Sequence, residues 1–359
     1  LAAGQREPPP SAEAWLDLLR GLTSDFDKDE PWCLVVTDLA KPAFLQAPVP
    51  EGTLDPLFGT AEAADELDML ITSKNHDLKK ARMKRGQSDD WALALLSLQT
   101  VQGYSGRNPP RNEAYYGISR MNGGSASRPF VGVAISGNFG AHIRRDIQRL
   151  MERRSEIISD HPIYSSTDSI KLVWLEPWDG VSQISPARLD PFYIEICRRV
   201  RFTLCKGNIS ARFGSSKSKR LNFPDGMNGV TGDPWTPVLR NGNKALTVGA
   251  SGFHYRRVVE LLDKEKFTPS PLQVLCPADG LEGLELCLSV IVRGQGKNEG
   301  FHERRIAIPQ RAVPFFMRIA DEYRLSDLAG ERLANASAML DVVLKPALFS
   351  LFKGKDLEK

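Results

Sequence analysis

Apolar residues recur at intervals of three and four in several parts of the chain, a spacing that is typical of helices with one buried face. Three segments with this pattern predict helices: 11–19, which the Ser11 hydroxyl can cap, 90–101, which is apolar nearly all round, and 141–157, which carries its arginines away from Ile143, Ile147 and Leu150. Asp190 and Pro191 predict a further helix start, because aspartate caps helices well and proline suits the first helical position.

Shorter apolar runs predict β-strands. They cover Cys33 to Val36, Leu172 to Leu175 and Leu288 to Val292. Between Gln102 and Phe130, glycine, proline, asparagine and serine are too frequent for regular structure. We expect a long loop there, and loops of that length inside a domain are usually functional.

The pattern becomes helical again beyond Pro309 and continues as far as Phe352, with Pro346 expected to kink or restart the helix. We therefore predict an α+β fold in two parts. The first is a large mixed α/β N-terminal domain, residues 1–308. The second is a C-terminal helical segment, residues 309–359, which is short enough to need packing partners for its apolar face.

The composition is typical of a soluble globular protein, since 42% of the 359 residues are hydrophobic and 25% are charged. No apolar stretch is long enough to span a membrane, so we predict no membrane partner. The five cysteines are scattered and form no C-x-x-C pair, which disfavours disulfides and thiolate zinc sites and favours a cytoplasmic location. The chain begins with Leu1 rather than Met, so we expect the natural start to lie upstream.

The formal net charge of +3 conceals a strong segregation of charge along the chain. Residues 1–70 have a net charge of −10, which leaves +13 for the remainder. Eight Lys and Arg residues and no acidic residue lie between Cys197 and Arg220, and six lie between Lys74 and Arg85 with Asp77 as the one acid. Concentrated cations favour a polyanion partner, because phosphate neutralisation and counterion release need them on one surface.

Catalytic signatures are incomplete or absent in the sequence. Gly294-Gln-Gly-Lys297 resembles part of a phosphate-binding loop, but Asn298 follows the lysine where a hydroxyl should bind magnesium. Neither a G-x-S-x-G nor an H-E-x-x-H motif occurs. One enzymatic alternative stays open, a metal-dependent nuclease that uses His76, Asp77, His302 and Glu303.

A glycine-rich hairpin is better suited to binding. The chain leaves an apolar strand at Val292, turns through Gly294, Gly296 and Gly300, and exposes Gln295, Lys297 and Asn298 at the tip. Long amides and a lysine on a stiff tip suit the edges of base pairs, or a wedge between base steps. A general RNA-binding scaffold is the third hypothesis, and it predicts affinity that does not depend on a DNA motif.

Six motifs occur in an order that resembles the CasA family, the large subunit of the type I-E CRISPR surveillance complex Cascade. They begin at Ile71 (ITSKNHD), Tyr116 (YGISRMNGG), Trp174 (WLEPWDG), Leu189 (LDPFYIE), Asn228 (NGVTGDPWTP) and Arg293 (RGQGKNEGFHER). The resemblance covers about Phe44 to Arg305 and implies a non-catalytic subunit. Its implied partners are the CRISPR guide RNA, double-stranded target DNA, the other Cascade subunits and a helicase-nuclease. The implied tasks are recognition of the motif next to the target, duplex opening and recruitment of the helicase-nuclease.

The resemblance also assigns site residues by position. The wedge beside the adjacent motif falls on Gln295, Gly296, Lys297 and Asn298. The minor-groove contacts fall on a glycine loop within 111–117, which includes Arg111, Asn112 and Gly117, and on a basic finger that includes Lys217, Lys219 and Arg220. The contact with the guide RNA and neighbouring subunits falls on Ser73, Lys74, Asn75 and His76, in a loop that ends at Asp77.

The chain departs from the family pattern in two respects. Some relatives carry paired C-x-x-C zinc ligands that this sequence lacks, so we predict neither a metal nor a cofactor. Family members also carry a C-terminal four-helix bundle, of which residues 309–359 can form at most half. We expect either a partial chain or a reduced variant.

Overall fold

The computed structural model describes residues 1–53, 59–71, 82–83, 86–101, 104–108, 113–117, 127–214, 216–280, 283–293, 298–316 and 325–351. Its helices are α1 (Ala12–Leu22), α2 (Ser88–Val101), α3 (Phe139–Asp160), α4 (Tyr255–Leu262), α5 (Val313–Phe316), α6 (Leu325–Met339) and α7 (Lys345–Leu351). Within these ranges, every helix is too short or too polar to span a lipid bilayer.

Short strands occupy the stretches between the helices. They are β1 (Thr60–Ala61), β2 (Tyr104–Asn108), β3 (Glu113–Gly117), β4 (Pro129–Ile135), β5 (Ile170–Leu172), β6 (Leu189–Ile194), β7 (Arg199–Cys205), β8 (Asn208–Gly214), β9 (Val238–Leu239), β10 (Lys244–Ala245), β11 (Phe267–Thr268), β12 (Leu284–Arg293) and β13 (Asn298–Ala307). The mixture of helix and sheet confirms the predicted α+β class.

The strands form several small sheets rather than one continuous sheet. In the largest by pairing length, β12 lies between β4 and β13 and is antiparallel to both. The β7–β8 hairpin pairs with β1, β9 pairs with β10 and β11, and β2 pairs with β3. Strands β5 and β6 are parallel.

Two large apolar clusters lie on the two sides of the β13–β12–β4 sheet. One contains the buried indoles of α2 and of the loop after β5, together with Phe202 of β7 and Ile291 of β12. The other contains Leu286, Leu288 and Val290 of β12 with residues of α4. Because consecutive strand residues point to opposite faces, both faces of β12 are packed near the end that leads into the hairpin turn.

Helix predictions near the N-terminal half are largely confirmed. Ser11 caps α1 by accepting a hydrogen bond from the Ala14 amide at 3.2 Å. Helix α3 covers the predicted 141–157. Helix α2 covers the predicted 90–101, but it is not buried all round, because Leu93 and Leu96 are 62% and 41% exposed.

Four local predictions are wrong. Of Leu172 to Leu175, predicted as a strand, only Leu172 lies in β5, and Val173–Leu175 form a 3-10 helix. The segment Cys33 to Val36 is not a strand, because its carbonyls accept hydrogen bonds from a loop amide and from side chains: the Cys33 carbonyl from the Phe44 amide, and the Leu34 carbonyl from Gln46 Nε2. The segment after Asp190 is the strand β6 rather than a helix. The stretch 102–130 holds β2, β3 and the start of β4 rather than only a loop.

The C-terminal segment is helical, as predicted. Helix α6 passes through a π-helical stretch, Leu340–Leu344, into α7. Pro346 has no amide hydrogen and clashes with the carbonyl of residue 342, which explains why the helix widens just before it. Ile308, Val313 and Phe316 all pack in the second apolar cluster, so this core extends on both sides of residue 309. The domain boundary at 308 stays a prediction.

Candidate nucleic-acid interface

The predicted hairpin is formed by β12 and β13. The strands pair over their full length, from Glu285 opposite Ala307 to Arg293 opposite Asn298. The register shifts between Val292 and Arg293, so that Glu299 is the extra residue of a β-bulge. The predicted wedge residues Gln295, Gly296 and Lys297 lie outside the described residues.

Asn298, the fourth predicted wedge residue, lies at the base of the turn and is buried, with only 3% of its surface exposed. Its Nδ2 donates a hydrogen bond to the Met69 carbonyl at 2.8 Å. Its side chain is therefore directed into the protein and does not point at a ligand outside the hairpin.

Met69 lies in the segment that leads into the predicted RNA-contact loop. The Met69 amide donates to Ser97 Oγ of α2 at 3.0 Å, and the Leu70 amide donates to Asp68 Oδ1 at 2.8 Å. On the far side of the loop, buried Asp65 accepts hydrogen bonds from the Arg82 and Met83 amides at 2.8 and 2.9 Å. Ser73, Lys74, Asn75, His76 and Asp77 lie outside the described residues.

The predicted glycine loop, within 111–117, covers the end of the connection between β2 and β3 and all of β3 (Glu113–Gly117), so most of it is a strand. Arg111 and Asn112 lie outside the described residues, and Gly117 is the last residue of β3, opposite Tyr104 of β2. The two strands therefore form an antiparallel hairpin whose connection contains the predicted arginine and asparagine.

The predicted basic finger is held by the loop that follows the third motif. The Lys217 amide donates to the Gly180 carbonyl at 2.6 Å, and the Lys219 carbonyl accepts from Gln183 Nε2 at 3.0 Å. The side chains of Lys217 and Lys219 are exposed. The backbone of this segment is thus fixed while both ammonium groups remain in solvent.

Arg220 differs from the two lysines, because it is 1% exposed. Its guanidinium donates to the Glu176 carbonyl at 2.8 Å and lies 5.4 Å from the centroid of the Trp178 ring. Burial lowers the Arg220 pKa to about 10, so the group is still charged at neutral pH. In this conformation Arg220 fixes the end of the basic finger to the protein interior, and its guanidinium does not reach a groove of DNA.

The basic run between Cys197 and Arg220 is consequently less basic at the surface than in sequence. Arg199 and Arg201 of β7 are buried like Arg220. Arg201 donates to the carbonyls of Lys41, Val36 and Asp38 at 2.8, 3.0 and 3.1 Å, and burial lowers its pKa to about 10. Arg201 therefore ties the N-terminal loop to β7.

Buried ionic contacts involve residues of the fourth and fifth motifs. Arg128 lies 3.4 Å from buried Asp233 of the fifth motif, and its guanidinium lies 4.7 Å from the centroid of the Phe130 ring. Asp190 of the fourth motif accepts from Arg154 of α3 at 2.9 and 2.6 Å. These motif residues hold elements together, and their roles are structural.

The two described residues of the nuclease alternative do not form a common site. His302 and Glu303 are neighbours in β13, so their side chains point to opposite faces of the sheet. Glu303 accepts from Arg305 Nε at 3.2 Å, and His302 packs against Gly252. Within the described part of the chain, no group of three or more His, Cys, Asp or Glu residues could hold a metal ion.

No sequence pattern pointed to the residues that anchor the loop around 72–81. Asp65 and Ser97 have no motif around them, and Met69 contributes only its backbone. Their role as anchors becomes clear only in the structure, where α2, the segment around Met69 (residues 68–70, called the Met69 segment) and β13 lie together. The exposure of Lys217 and Lys219 is compatible with the predicted finger, whereas the burial of Arg220 and Asn298 was not predicted.

Comparison with known proteins identifies the fold. No protein-family model and no curated protein matches the chain. The structure of Thermus thermophilus CasA (Cse1) is similar with a TM-score of 0.54 and 14% identity, covering 93% of this chain and 65% of that chain. A second crystal structure of CasA from Thermus thermophilus is similar with a TM-score of 0.55 and 14% identity, covering 90% of this chain and 60% of that chain. The chain therefore has the fold of CasA and spans less than two thirds of the length of these CasA chains.

Proposed function

We propose that this chain is the non-catalytic large subunit of a type I-E CRISPR Cascade complex. In this role it recognises the short motif beside the target in double-stranded DNA, helps to open the duplex for guide RNA pairing, and recruits the helicase-nuclease. The observation that carries the proposal is that the distinctive sequence 294–297 connects the paired strands β12 and β13 of a well-packed hairpin in a CasA fold.

The hairpin has the mechanical properties that a wedge requires. Strand β12 is bonded on both sides, and its buried residues pack in both apolar clusters. A turn on such a base can press between base pairs without folding back, while Gln295 and Lys297 contact base edges and phosphate. The insertion would unstack the first step of the target, from which pairing with the guide can extend.

Minor-groove contacts by other loops would position the hairpin on the motif. The exposed ammonium groups of Lys217 and Lys219 suit this task, together with Arg111, Asn112 and Gly117 of the glycine loop. The minor groove carries a degenerate pattern, so such contacts recognise a set of short motifs rather than one sequence. Guide pairing would supply the remaining specificity.

The guide RNA and the other Cascade subunits are the remaining proposed partners. Ser73, Lys74, Asn75 and His76 would contact them from the loop whose two stems are held by Met69 and Asp65. The proposal places the chain in the cytoplasm, with no cofactor. The nuclease alternative has no comparable support, because His302 and Glu303 point to opposite faces of β13.

The test is DNA binding by the complex assembled with Gln295→Ala and Lys297→Ala variants. Losing one good base contact costs about 1–3 kcal/mol, so each variant is expected to reduce discrimination between motif-bearing and motif-substituted duplex by roughly 5- to 150-fold. Opening of the duplex, followed with a fluorescent base analogue beside the motif, should fall in parallel.

Lys206→Ala supplies a matched control, because Lys206 is an exposed lysine in the turn of a different hairpin, β7–β8. It is expected to leave motif discrimination unchanged. If Gln295→Ala and Lys297→Ala also leave discrimination and opening unchanged, the wedge assignment is wrong. Affinity that never depends on the motif would favour the RNA-binding scaffold, and cleavage of DNA by the isolated chain with Mg²⁺ or Mn²⁺ would favour the nuclease.

A further inference from the structure

The Met69 peptide joins two regions that the sequence keeps far apart. Its amide donates to Ser97 Oγ of α2 at 3.0 Å, and its carbonyl accepts from Asn298 Nδ2 of β13 at 2.8 Å. Met69 and Asn298 are both buried, with 4% and 3% of their surfaces exposed. A hydrogen bond made away from water is costly to break, because its partners cannot rebond to solvent.

The β-bulge supports the burial of Asn298. Val292 is opposite Gly300, whereas Arg293 is opposite Asn298, so Glu299 is the extra residue on β13. One extra residue reverses the alternation of faces along the strand and re-aims the side chains beyond it. The bulge is therefore placed where it turns the Asn298 amide toward Met69.

The chain on either side of this bond leads into the two predicted contact regions. Three residues separate Met69 from Ser73, the first of the predicted contact residues Ser73, Lys74, Asn75 and His76. Asn298 directly follows the segment that contains Gln295 and Lys297. The chain that follows the predicted RNA-contact segment is fixed as well, since buried Asp65 accepts hydrogen bonds from the Arg82 and Met83 amides at 2.8 and 2.9 Å.

We infer that Asn298 is a positioning residue that couples guide RNA contact to motif recognition through its hydrogen bond to the Met69 carbonyl. The inference rests on the proposed function, and it replaces a direct DNA contact by Asn298. Movement of the hairpin base on DNA binding changes the geometry of the Met69 segment, and ordering of that segment by RNA stabilises the hairpin base. Such coupling is reciprocal, so bound motif DNA must strengthen the hold on the guide complex.

The experiment measures the affinity of the full chain for the complex of guide RNA with the other subunits, without DNA and with a saturating short duplex that carries the motif. The coupling ratio is the affinity for the guide complex with motif DNA divided by the affinity without DNA. Coupled sites typically change each other's affinity by about 5- to 150-fold, and we expect a coupling ratio of about 10 for the wild type. Asn298→Asp removes the donor with little change in size. It is expected to reduce the ratio to below about 2 while the DNA-free affinity stays within about threefold of wild type.

Gln46→Glu is the matched control for loss of a buried amide donor, because Gln46 Nε2 donates to the Leu34 carbonyl at 2.8 Å, away from the Met69 bond. It should keep the wild-type ratio, which separates coupling from general destabilisation. If Asn298→Asp fails to fold, Ser97→Ala loosens the same peptide from its other side and is expected to lower the ratio.

Each outcome decides the question. If the wild-type ratio is about 10 and Asn298→Asp keeps it, the coupling is wrong and the proposed function is unaffected. The same holds if Asn298→Asp does not fold and Ser97→Ala keeps the ratio. A wild-type ratio of about 1 with motif-dependent DNA binding has the same consequence. A wild-type chain that binds neither the guide complex nor motif DNA overturns the proposed function, and the coupling with it.

Discussion

Arginine and lysine side chains differ in burial within the basic segment between Cys197 and Arg220. Arg199, Arg201 and Arg220 are buried, whereas Lys217 and Lys219 are exposed. The guanidinium offers five donors in a planar fork and is more weakly hydrated than an ammonium group, so it can serve several buried carbonyls at once. The exposed cations of this segment are therefore mainly lysines.

Replacement of Arg220 tests this division. Arg220→Ala leaves the Glu176 carbonyl without its donor and opens a space beside Trp178, so it should lower the free energy of unfolding by about 2–4 kcal/mol. Lys219→Ala, at an exposed position, should change it by less than about 0.5 kcal/mol. Chemical denaturation of both variants gives the comparison, and equal effects would contradict the structural role of Arg220.

At the scale of elements, local sequence and tertiary structure disagree most clearly at β6. Asp190-Pro191 is a good helix start, but the Asp190 carboxylate accepts from Arg154 and from the Phe192 amide, and Leu189 to Tyr193 are buried. Burial between α3 and the first apolar cluster favours an extended chain over the local preference for a helix. This outcome depends on residues distant in sequence, so no local pattern could predict it.

The hairpin was predictable as an element because its signal is local. Alternating apolar residues lead into a glycine-rich turn, and β12 and β13 pair as expected. The contacts that hold the hairpin in place were not predictable. The loop at Gly252 packs against His302 of β13, which lies fifty residues further along the chain. Arg304 of the same strand donates to the Phe253 carbonyl at 2.7 Å.

Gly252→Ala tests the contact between this loop and the hairpin. Gly252 has a φ of +63°, and an added Cβ would lie 2.6 Å from His302 Cγ. The strain and the clash together should lower the free energy of unfolding by about 2–4 kcal/mol. Gly242→Ala is the matched control: its φ is +93° with nothing within 4 Å of the added Cβ, and it should cost only about 1–2 kcal/mol. Equal losses in thermal or chemical denaturation would show that the loop does not press on β13.

At the scale of the whole molecule, the sequence predicted the α+β class and the helical C-terminal segment. Both follow from the spacing of apolar residues along the chain, which predicts helices and strands without comparison to another sequence. Charge counting was less informative, because it cannot distinguish a buried arginine from an exposed one. The burial of Asn298 was equally inaccessible, since it depends on a bulge in β13 and on a backbone carbonyl in the Met69 segment.

The C-terminal helices leave many large apolar side chains exposed in the structure. They are Leu328, Met339, Leu340, Val342, Val343, Leu344, Leu348, Phe349 and Leu351. Exposed apolar surface of this extent normally marks an interface. It agrees with the expectation that this segment needs packing partners.

The role as a large subunit can be tested by adding this chain to a guide RNA complex that lacks its large subunit. We expect target duplex with the adjacent motif to bind roughly 10- to 100-fold more tightly than duplex with a substituted motif, and the DNA to stay uncut until a helicase-nuclease is supplied. Equal affinity for both duplexes, or no association of the chain with the guide complex, would contradict it.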